Sequence, residues 1–332
     1  MTRFTKAAAA ALALTALGAF LRFNDIDLRP FHHDEGVNGF FLTRLVREGA
    51  YAYDPSNYHG PSLYYLSLPL VGLFGLSDLA VRGTVAAFGV LTLGLLYLFL
   101  APLGEAFALG AVALFAVSPG AVFFSRYYIH ETLFVFFTLA ALACAPRRGA
   151  EAPWRFIATG LALGFLFATK ETAFVSVGAI VAGAFVAAFL VEGLSPLAVL
   201  RGVNPYLKKH AEGLMNGALA FAASAGLLYS SFFRNPKGVV DAFRAFAFWT
   251  KTAVRDHDNP WNQHILWMWE ADRTLLVLGT LGVLLALARR RSFLAVMGAV
   301  WTILIVGSYS SIHYKTPWLV LNMLLPLALM SG

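Results

Sequence analysis

Four ionisable residues in a row, His32-His33-Asp34-Glu35, follow directly on the first long apolar segment of this chain. A carboxylate drawn towards hydrocarbon loses much of its hydration energy, so such a group must sit in a polar pocket, pair with a cation or bind something. Asp34 is therefore read as the centre of an active site at a membrane surface. It is equally suited to cap a helix beginning near Gly36, Asp being a preferred N-cap residue, and the two roles are compatible. His32, His33, Asp34, His130 and Glu131 are also ligand types suited to Zn, Mn or Mg. Adjacent residues seldom share one ion, however, and no His-x-x-x-His spacing occurs, so a divalent cation stays an alternative rather than a requirement.

The rest of the chain says what must hold these groups. Of its 332 residues 59 % are hydrophobic and only 13 % charged, with mean hydropathy +0.68. A soluble domain carries about a quarter charged residues. The chain is expected to be an all-α polytopic membrane protein, one membrane domain over residues 1–332 with no soluble domain. The formal charge of +7 sits in short Lys and Arg clusters between apolar segments, the pattern of membrane topology rather than of nucleic-acid binding. One cysteine, Cys144 in an apolar run, excludes a disulfide framework and a Cys-based metal site.

Positive charge sets the topology. Residues 7–23, preceded by Arg3 and Lys6, read as an uncleaved first helix with a cytoplasmic N-terminus. Residues 61–76 are apolar but short, with an internal Pro69. If they stay outside, further spans near 81–100, 106–124, 130–145, 156–169, 172–191, 214–232, 274–288, 293–308 and 318–330 make about ten in all. The clusters Arg147/Arg148/Arg155, Arg201/Lys208/Lys209 and Arg289/Arg290/Arg291 then fall inside. If residues 61–76 span, all nine move outside. Residues 24–80 are therefore predicted to be one long outer loop with interfacial helices. Within it Phe41, Leu42, Leu45 and Val46 lie on one side at helical spacing, and Arg44, Arg47 and Glu48 on the other. Asp54-Pro55-Ser56-Asn57 supplies turn chemistry. A second outer loop, 233–273, carries Asp256-His257-Asp258, read as a solvated turn, and Trp249, Trp261, Trp267 and Trp269, read with Tyr127 and Tyr128 first as an interface belt.

This topology gathers chemistry on one face. Seven histidines (His32, His33, His59, His130, His257, His264 and His313) fall outside and only His210 inside; Arg126, Lys170, Glu171 and Lys315 join the outer set at span ends.

These motifs, in this order, resemble the GT-C glycosyltransferases, in particular the family 39 group that includes protein O-mannosyltransferases and bacterial lipid A aminoarabinose transferases; the nearest likeness is a prokaryotic, flippase-associated branch. The resemblance runs from about residue 10 to 330. His33-Asp34-Glu35 matches the acidic motif of the family's first outer loop, and His59-Gly60-Pro61-Ser62-Leu63-Tyr64-Tyr65 looks like its Lys/His-Pro-Pro-Leu-Tyr-Tyr element. Leu73-Phe74-Gly75, Ala80-Val81-Arg82 and Gly89-Val90-Leu91-Thr92 resemble the entry to its second transmembrane helix. Ser118-Pro119-Gly120 through Ser125-Arg126 and His130-Glu131 occupy the place of its second acidic motif, although an Asp often stands where His130-Glu131 does. Ser311, Lys315, Pro317 and Trp318 resemble its late Ser, Lys, Pro, Tyr pattern.

The resemblance implies a GT-C-like helix bundle and a sugar donor linked through phosphate to a polyprenyl or dolichyl lipid. It implies transfer at the periplasmic or extracellular face of the plasma membrane to an acceptor hydroxyl on a glycan, lipid or protein. In an inverting displacement a carboxylate accepts the proton of the attacking hydroxyl; Asp34 takes that role, with Glu35 second. Arg126, Lys315, Lys170 and Arg82 are the candidate cations for the departing phosphate, against a plain reading as Lys and Arg snorkelling at span ends. His33, His59, Tyr64, His130, Glu131 and Trp318 are the supporting residues, and His33, Asp34, His130 and Glu131 the metal candidates. A lipid-linked saccharide flippase, or a component associated with one, is the alternative from another class. It would need polar residues at mid-span and broken helices in repeated halves.

Overall fold

A computed structural model describes residues 3–147, 149–253 and 259–332. Among them the regular structure is helical, apart from one isolated bridge between Arg147 and Ala150. The helices are α1 (Arg3–Phe23), α2 (His33–Glu48), α3 (Ser62–Phe74), α4 (Asp78–Leu100), α5 (Glu105–Val117), α6 (Pro119–Phe124), α7 (Glu131–Cys144) and α8 (Pro153–Phe167). Then come α9 (Ala173–Glu192), α10 (Pro196–Lys209), α11 (Ala211–Tyr229), α12 (Lys237–Ala253), α13 (Gln263–Ala271), α14 (Arg273–Arg289), α15 (Phe293–Ser311) and α16 (Val320–Ser331). The chain is an all-α polytopic membrane protein. By length and composition five helices, those containing Lys6–Phe23, Asp78–Leu100, Ala173–Glu192, Ala211–Tyr229 and Phe293–Ser311, can each cross a bilayer alone. The pair α13 and α14 passes the same test as one span bent by 116°. The shorter apolar helices α5, α7, α8 and α16 occupy four of the remaining expected spans.

α16 lies deepest. Its residues from Val320 to Leu329 are all buried, among a core that includes Leu93 and Leu96 of α4, Phe115 of α5, Leu139 of α7, Leu275 of α14 and Trp301 of α15. The chain then reverses at each step, so that one end of the bundle collects the C-terminal ends of α1, α8, α11 and α15 and the N-terminal ends of α4, α7, α9, α14 and α16. Contacts fix this end. Arg126 reaches the carbonyls of Asn24 and Asp25 after α1, Tyr229 at the end of α11 bonds the Phe167 carbonyl at the end of α8, and Gly120 beside α7 bonds Asp272 at the start of α14.

Residues 61–76 fold as α3, whose 13 residues make it as short as α5, so its length does not set it apart from the shorter spans; the placing of its two ends does. Its start is held at the C-terminal end of α8, where Ser62 N–H donates to the Ala168 carbonyl at 2.9 Å. Beyond it the chain turns into α4, whose Arg82 bonds Glu35 of α2 at the same end. Gly60 approaches the Ala168 carbonyl so closely that any side chain there would collide with it. α2 buries Glu35, Asn38, Leu42 and Leu45 and leaves Arg44, Arg47 and Glu48 outside, as expected, but Val46 is exposed.

Three details differ from the sequence reading. The expected span 106–124 is broken at Ser118, whose hydroxyl accepts from Ala121 N–H at 3.1 Å and whose next residue, Pro119, fits a helix start. The long loop 233–273 is largely helical, as α12 and α13. α10, with every residue from Pro196 to Lys209 at least partly exposed, adds a basic surface helix at the opposite end. Arg148 and Asp256-His257-Asp258 lie outside the described residues.

Candidate active site

α2 starts at His33, three residues before the expected Gly36, and its cap is His32, not Asp34. The His32 ring accepts from Asp34 N–H at 3.3 Å, and the Glu35 carboxylate accepts from His32 N–H at 3.1 Å, closing a capping box. This corrects the capping alternative for Asp34, because the terminal N–H groups are served by its neighbours. Its carboxylate has no hydrogen bond among the described residues and only His32 Nδ1, at 3.8 Å, as an ionic neighbour.

Glu35 is turned the other way. Fully buried, it forms a bidentate pair with Arg82 at 2.8 and 2.9 Å and accepts from Tyr128 N–H at 3.0 Å. Burial pushes its carboxyl up, but the Arg82 guanidinium and the two backbone N–H groups outweigh that and hold it below the usual value. Arg82 donates its remaining N–H groups to the carbonyls of Ile26, Arg29 and Pro30 at 3.1, 2.8 and 3.2 Å. The pair locks the segment between α1 and α2 onto α4. Two expectations are thereby corrected. Glu35 is not available as a second base, and Arg82 is not available to a donor phosphate.

Asp34 faces two cavities at the helix ends. One, of about 250 Å³, is lined by Asp34, Asn38, Tyr58, His59, His130, Glu131 and Trp318, among others. The second, of about 110 Å³, is lined by Asp34, Tyr58, His59 and Trp318 again, with Lys170, Glu171, Trp249, Tyr309 and Tyr314. The Asp34, Tyr58, His59 and Trp318 side chains thus form the shared wall. The loop carrying Tyr58 and His59 is ordered by buried Tyr51 and Tyr53, by the Asp54 turn, in which Ser56 N–H and Oγ reach Oδ1 at 2.9 and 2.7 Å, and by Tyr51 N–H on Ser231 Oγ at 2.8 Å. Tyr58 itself sits in the left-handed region, φ 44°, a conformation a large side chain adopts only where its surroundings impose it.

Behind the wall, His59 Nδ1 lies 3.0 Å from Glu171, and the His59 and His130 rings are 4.9 Å apart. His130 Nε2 lies 3.1 Å from the Gly60 carbonyl, which can only accept, so Nε2 carries the proton. Burial, then His59 and Lys170, hold His130 well below its ordinary pKa, so it is neutral. Lys170 is buried in an ion pair with Glu131. Burial alone would lower its pKa, but Glu131 and Glu171 raise it, and it stays charged. The cavity walls therefore carry three carboxylates, Asp34, Glu131 and Glu171, against one lysine.

Of the sequence-predicted residues, the fold brings together Asp34, His59, His130, Glu131, Lys170 and Trp318. It places the others elsewhere. Arg126 is spent on the carbonyls of Leu21, Asn24 and Asp25 after α1, and Lys315 is buried with its ammonium on the Ile312 carbonyl at 2.6 Å. His33 is exposed beside an open hollow with Phe31 and Phe40. Tyr64 stands one layer back, its hydroxyl donating to Asn38 at 3.0 Å. Of the four candidate cations around a phosphate, the structure places Lys170 on these walls and Arg82, Arg126 and Lys315 elsewhere. The metal candidates are not all gathered either: His33 is exposed beside the hollow, away from the cavity that Asp34, His130 and Glu131 line. Among the described residues no group of three His, Cys, Asp or Glu converges on one point, and Glu131 and His130 are already engaged. Asn38 and Tyr58 were missed. Asn38 was detectable as a polar residue four positions after Asp34, hence on the same helix face. Tyr58 gave no signal apart from the aromatic richness of its loop.

Residues 53–201 match the family model described as dolichyl-phosphate-mannose-protein mannosyltransferase. No curated protein matches the chain. Among solved structures, ArnT from Cupriavidus metallidurans in the apo state superposes with TM-score 0.71 at 15 % identity, over 99 % of this chain and 59 % of that one. The same protein bound to undecaprenyl phosphate gives 0.68. The archaeal oligosaccharyltransferase AglB from Archaeoglobus fulgidus, in complex with an inhibitory peptide and a dolichol-phosphate, gives 0.66 at 15 % identity, over 99 % of this chain and 50 % of that one. The fold is therefore the GT-C membrane fold. The chain spans between half and three fifths of the length of these structures.

Proposed function

We propose that this chain is an integral membrane glycosyltransferase of the family 39 kind, moving a sugar from a polyprenyl- or dolichyl-phosphate donor to an acceptor hydroxyl with inversion at the anomeric carbon. The observation that carries the reading is Asp34, a carboxylate without a hydrogen bond among the described residues, on the wall common to both cavities. The acceptor oxygen attacks the anomeric carbon, Asp34 takes its proton, and the bond to the lipid phosphate breaks. The hydroxyl and indole donors of Tyr309, Tyr314, Trp249 and Trp318 meet the departing phosphate, and Lys170, although paired with Glu131, adds positive charge to that wall, which Arg82 does not line. The excess of carboxylates suits the base better than it suits an anion clamp. The family match and the lipid phosphates bound by the fold's relatives support the donor class; the acceptor is a glycan, lipid or protein. Buried Arg22, Arg82, Lys170 and Asp272 lie at helix ends rather than at mid-span, which favours transfer over the flippase reading.

The cavities belong to the periplasmic or extracellular face and the N-terminus to the cytoplasm. In support, Arg147, Arg155, Arg201, Lys208, Lys209 and Arg289–Arg291 all lie towards the end of the bundle away from Asp34. Cysteines placed at Ser56 and Ser77 should both label from outside; labelling of the second only from the cytoplasm would overturn this orientation. Purified protein given sugar-loaded polyprenyl phosphate and a panel of acceptors should release lipid phosphate and yield an inverted linkage. A retained linkage rules out the single displacement, and lipid transport without sugar transfer rules out the enzyme.

A further inference from the structure

The other end of the bundle holds a cavity of about 480 Å³ that the transfer reaction does not use. Its walls are apolar, with Phe99, Leu285, Met297, Trp301 and Leu329 among them, and each of these belongs to a helix whose opposite end reaches the Asp34 region. Arg289 and Arg291 also line it, and both are exposed. Between them Arg290 closes α14 in the left-handed conformation, φ 48°, its Nε on the Leu287 carbonyl at 3.0 Å. That turn leaves the two flanking guanidiniums with no ion pair or hydrogen bond among the described residues. Several arginines at helix ends are engaged, Arg22 on the carbonyls of Gly18 and Ala116, Arg82 on Glu35, Arg126 on the end of α1 and Arg155 on the end of α7, whereas Arg47 and Arg201 are exposed and, like Arg289 and Arg291, have no ion pair or hydrogen bond among the described residues. A second group is open as well. Trp301 is 1 % exposed, and its indole N–H has no acceptor, although a buried Trp usually finds one.

We propose that this cavity is a binding site for an acidic phospholipid of the bilayer. One acyl chain enters the apolar crevice while the other stays in the bilayer, the phosphate is held between Arg289 and Arg291, and the Trp301 N–H meets a lipid oxygen below the headgroup. The volume is within the ~300–1,000 Å³ of ordinary small-molecule sites, and a guanidinium fork fits a phosphate better than it fits any neutral headgroup. A zwitterionic headgroup carries the same phosphate but brings a quaternary ammonium up to the two guanidiniums, so a net negative headgroup matches them better; an apolar helix would leave both cations unmatched. A bilayer lipid is present at high local concentration wherever the bundle is inserted, so mass action fills the site without a delivery step. The proposal does not depend on the sugar-transfer reading, since no residue of the Asp34 cavities takes part.

The test is native mass spectrometry of the full chain in detergent, titrated separately with phosphatidylglycerol, phosphatidylcholine and undecaprenyl phosphate. Phosphatidylglycerol should be retained about tenfold or more better than phosphatidylcholine, as expected for two cations near an anionic headgroup. The double variant Arg289→Gln/Arg291→Gln should remove that preference. Leu285→Trp, which fills the cavity and leaves both charges, should displace the lipid. Phosphatidylglycerol with brominated acyl chains should quench the parent protein more than Trp301→Phe. Equal retention of the acidic and neutral lipids, unchanged retention in the arginine variant, or quenching indifferent to Trp301 would each overturn the site. Preferential retention of undecaprenyl phosphate, or closure of this face by a second copy of the chain without lipid, would overturn the assignment of its occupant.

Discussion

Asp34 and Glu35 are adjacent in sequence and differ by one methylene, yet they belong to two regions with opposite physics. Glu35 faces inward and is saturated: every lone-pair direction of its carboxylate meets Arg82, Tyr128 N–H or His32 N–H. Asp34 is rotated about 100° round the helix from it, onto the cavity wall, where no donor among the described residues bonds it. A saturated buried pair fixes structure and cannot easily change protonation. A partly exposed carboxylate beside a cavity can receive a proton. The comparison teaches that two adjacent acids can be given opposite tasks, one locked in a buried pair and the other left with only His32 as an ionic neighbour among the described residues.

The sharpest way to break the comparison is to neutralise Asp34 and then the cation that Glu35 is paired with. Asp34→Asn preserves shape and leaves the His32–Glu35 cap intact, so it should lower the rate of sugar transfer by about 10² to 10⁴ while the melting temperature in detergent holds. Transfer at the parent rate by a correctly inserted variant would remove Asp34 from the reaction. Glu131 would then be the next carboxylate to test, since Glu35 is engaged.

Arg82→Gln should act the other way. Removing one partner of a buried pair costs about 3–5 kcal/mol because the other charge is left uncompensated, so the expected result is poor recovery of folded protein and a large drop in melting temperature. Arg82→Met combined with Glu35→Met should recover part of it. A double variant no more stable than the single would show that the backbone bonds, not the ion pair, hold this region.

The third contrast is in pH. His130 is held neutral in the folded protein, with a pKa well below its ordinary value, whereas the unfolded chain takes up a proton near pH 6.5. Below that pH the unfolded state binds the extra proton, so stability falls as pH falls, by at most about 1.4 kcal/mol per pH unit, until the folded-state pKa is reached. Melting curves between pH 7 and about 5 should show this slope, and His130→Gln should reduce it. Glu35 contributes nothing to it, because its folded pKa is lowered and its stabilising effect is lost only as pH falls below the ordinary carboxylate value near 4.3.

The smallest effect is expected at Arg126. Because it caps the carbonyls at the end of α1, Arg126→Gln should cost about 0.3–1 kcal/mol and leave the apparent affinity for the lipid donor unchanged. A several-fold rise in donor KM at unaltered stability would return Arg126 to the phosphate site.

Much of this was readable from the sequence, and the readable part has one cause. In a bilayer, backbone polar groups must be bonded within a segment, so long apolar stretches become helices at the places where hydropathy puts them. Charge clusters then choose the ends. The alternation of α1, α4, α5, α7, α8, α9, α11, α14, α15 and α16 and the gathering of Asp34, His59, His130, Glu131 and Lys170 follow from that pattern. What the sequence left open was which charge meets which. Arg82, Arg126, Lys170 and Lys315 look alike as cations at span ends, but a long side chain binds whatever carbonyl or carboxylate comes within reach, and that is decided by loops and helix rotations no hydropathy pattern specifies. Asp272 shows the same limit. It sits 152 residues from Gly120 and bonds its backbone N–H, so closely that a side chain on Gly120 would strike the carboxylate. The sequence determined the helices, their order and the end of the bundle where chemistry collects. Tertiary packing alone decided that Glu35 is a fastener and Asp34 is free, because rotation about a helix axis is set by the neighbours a face must bury.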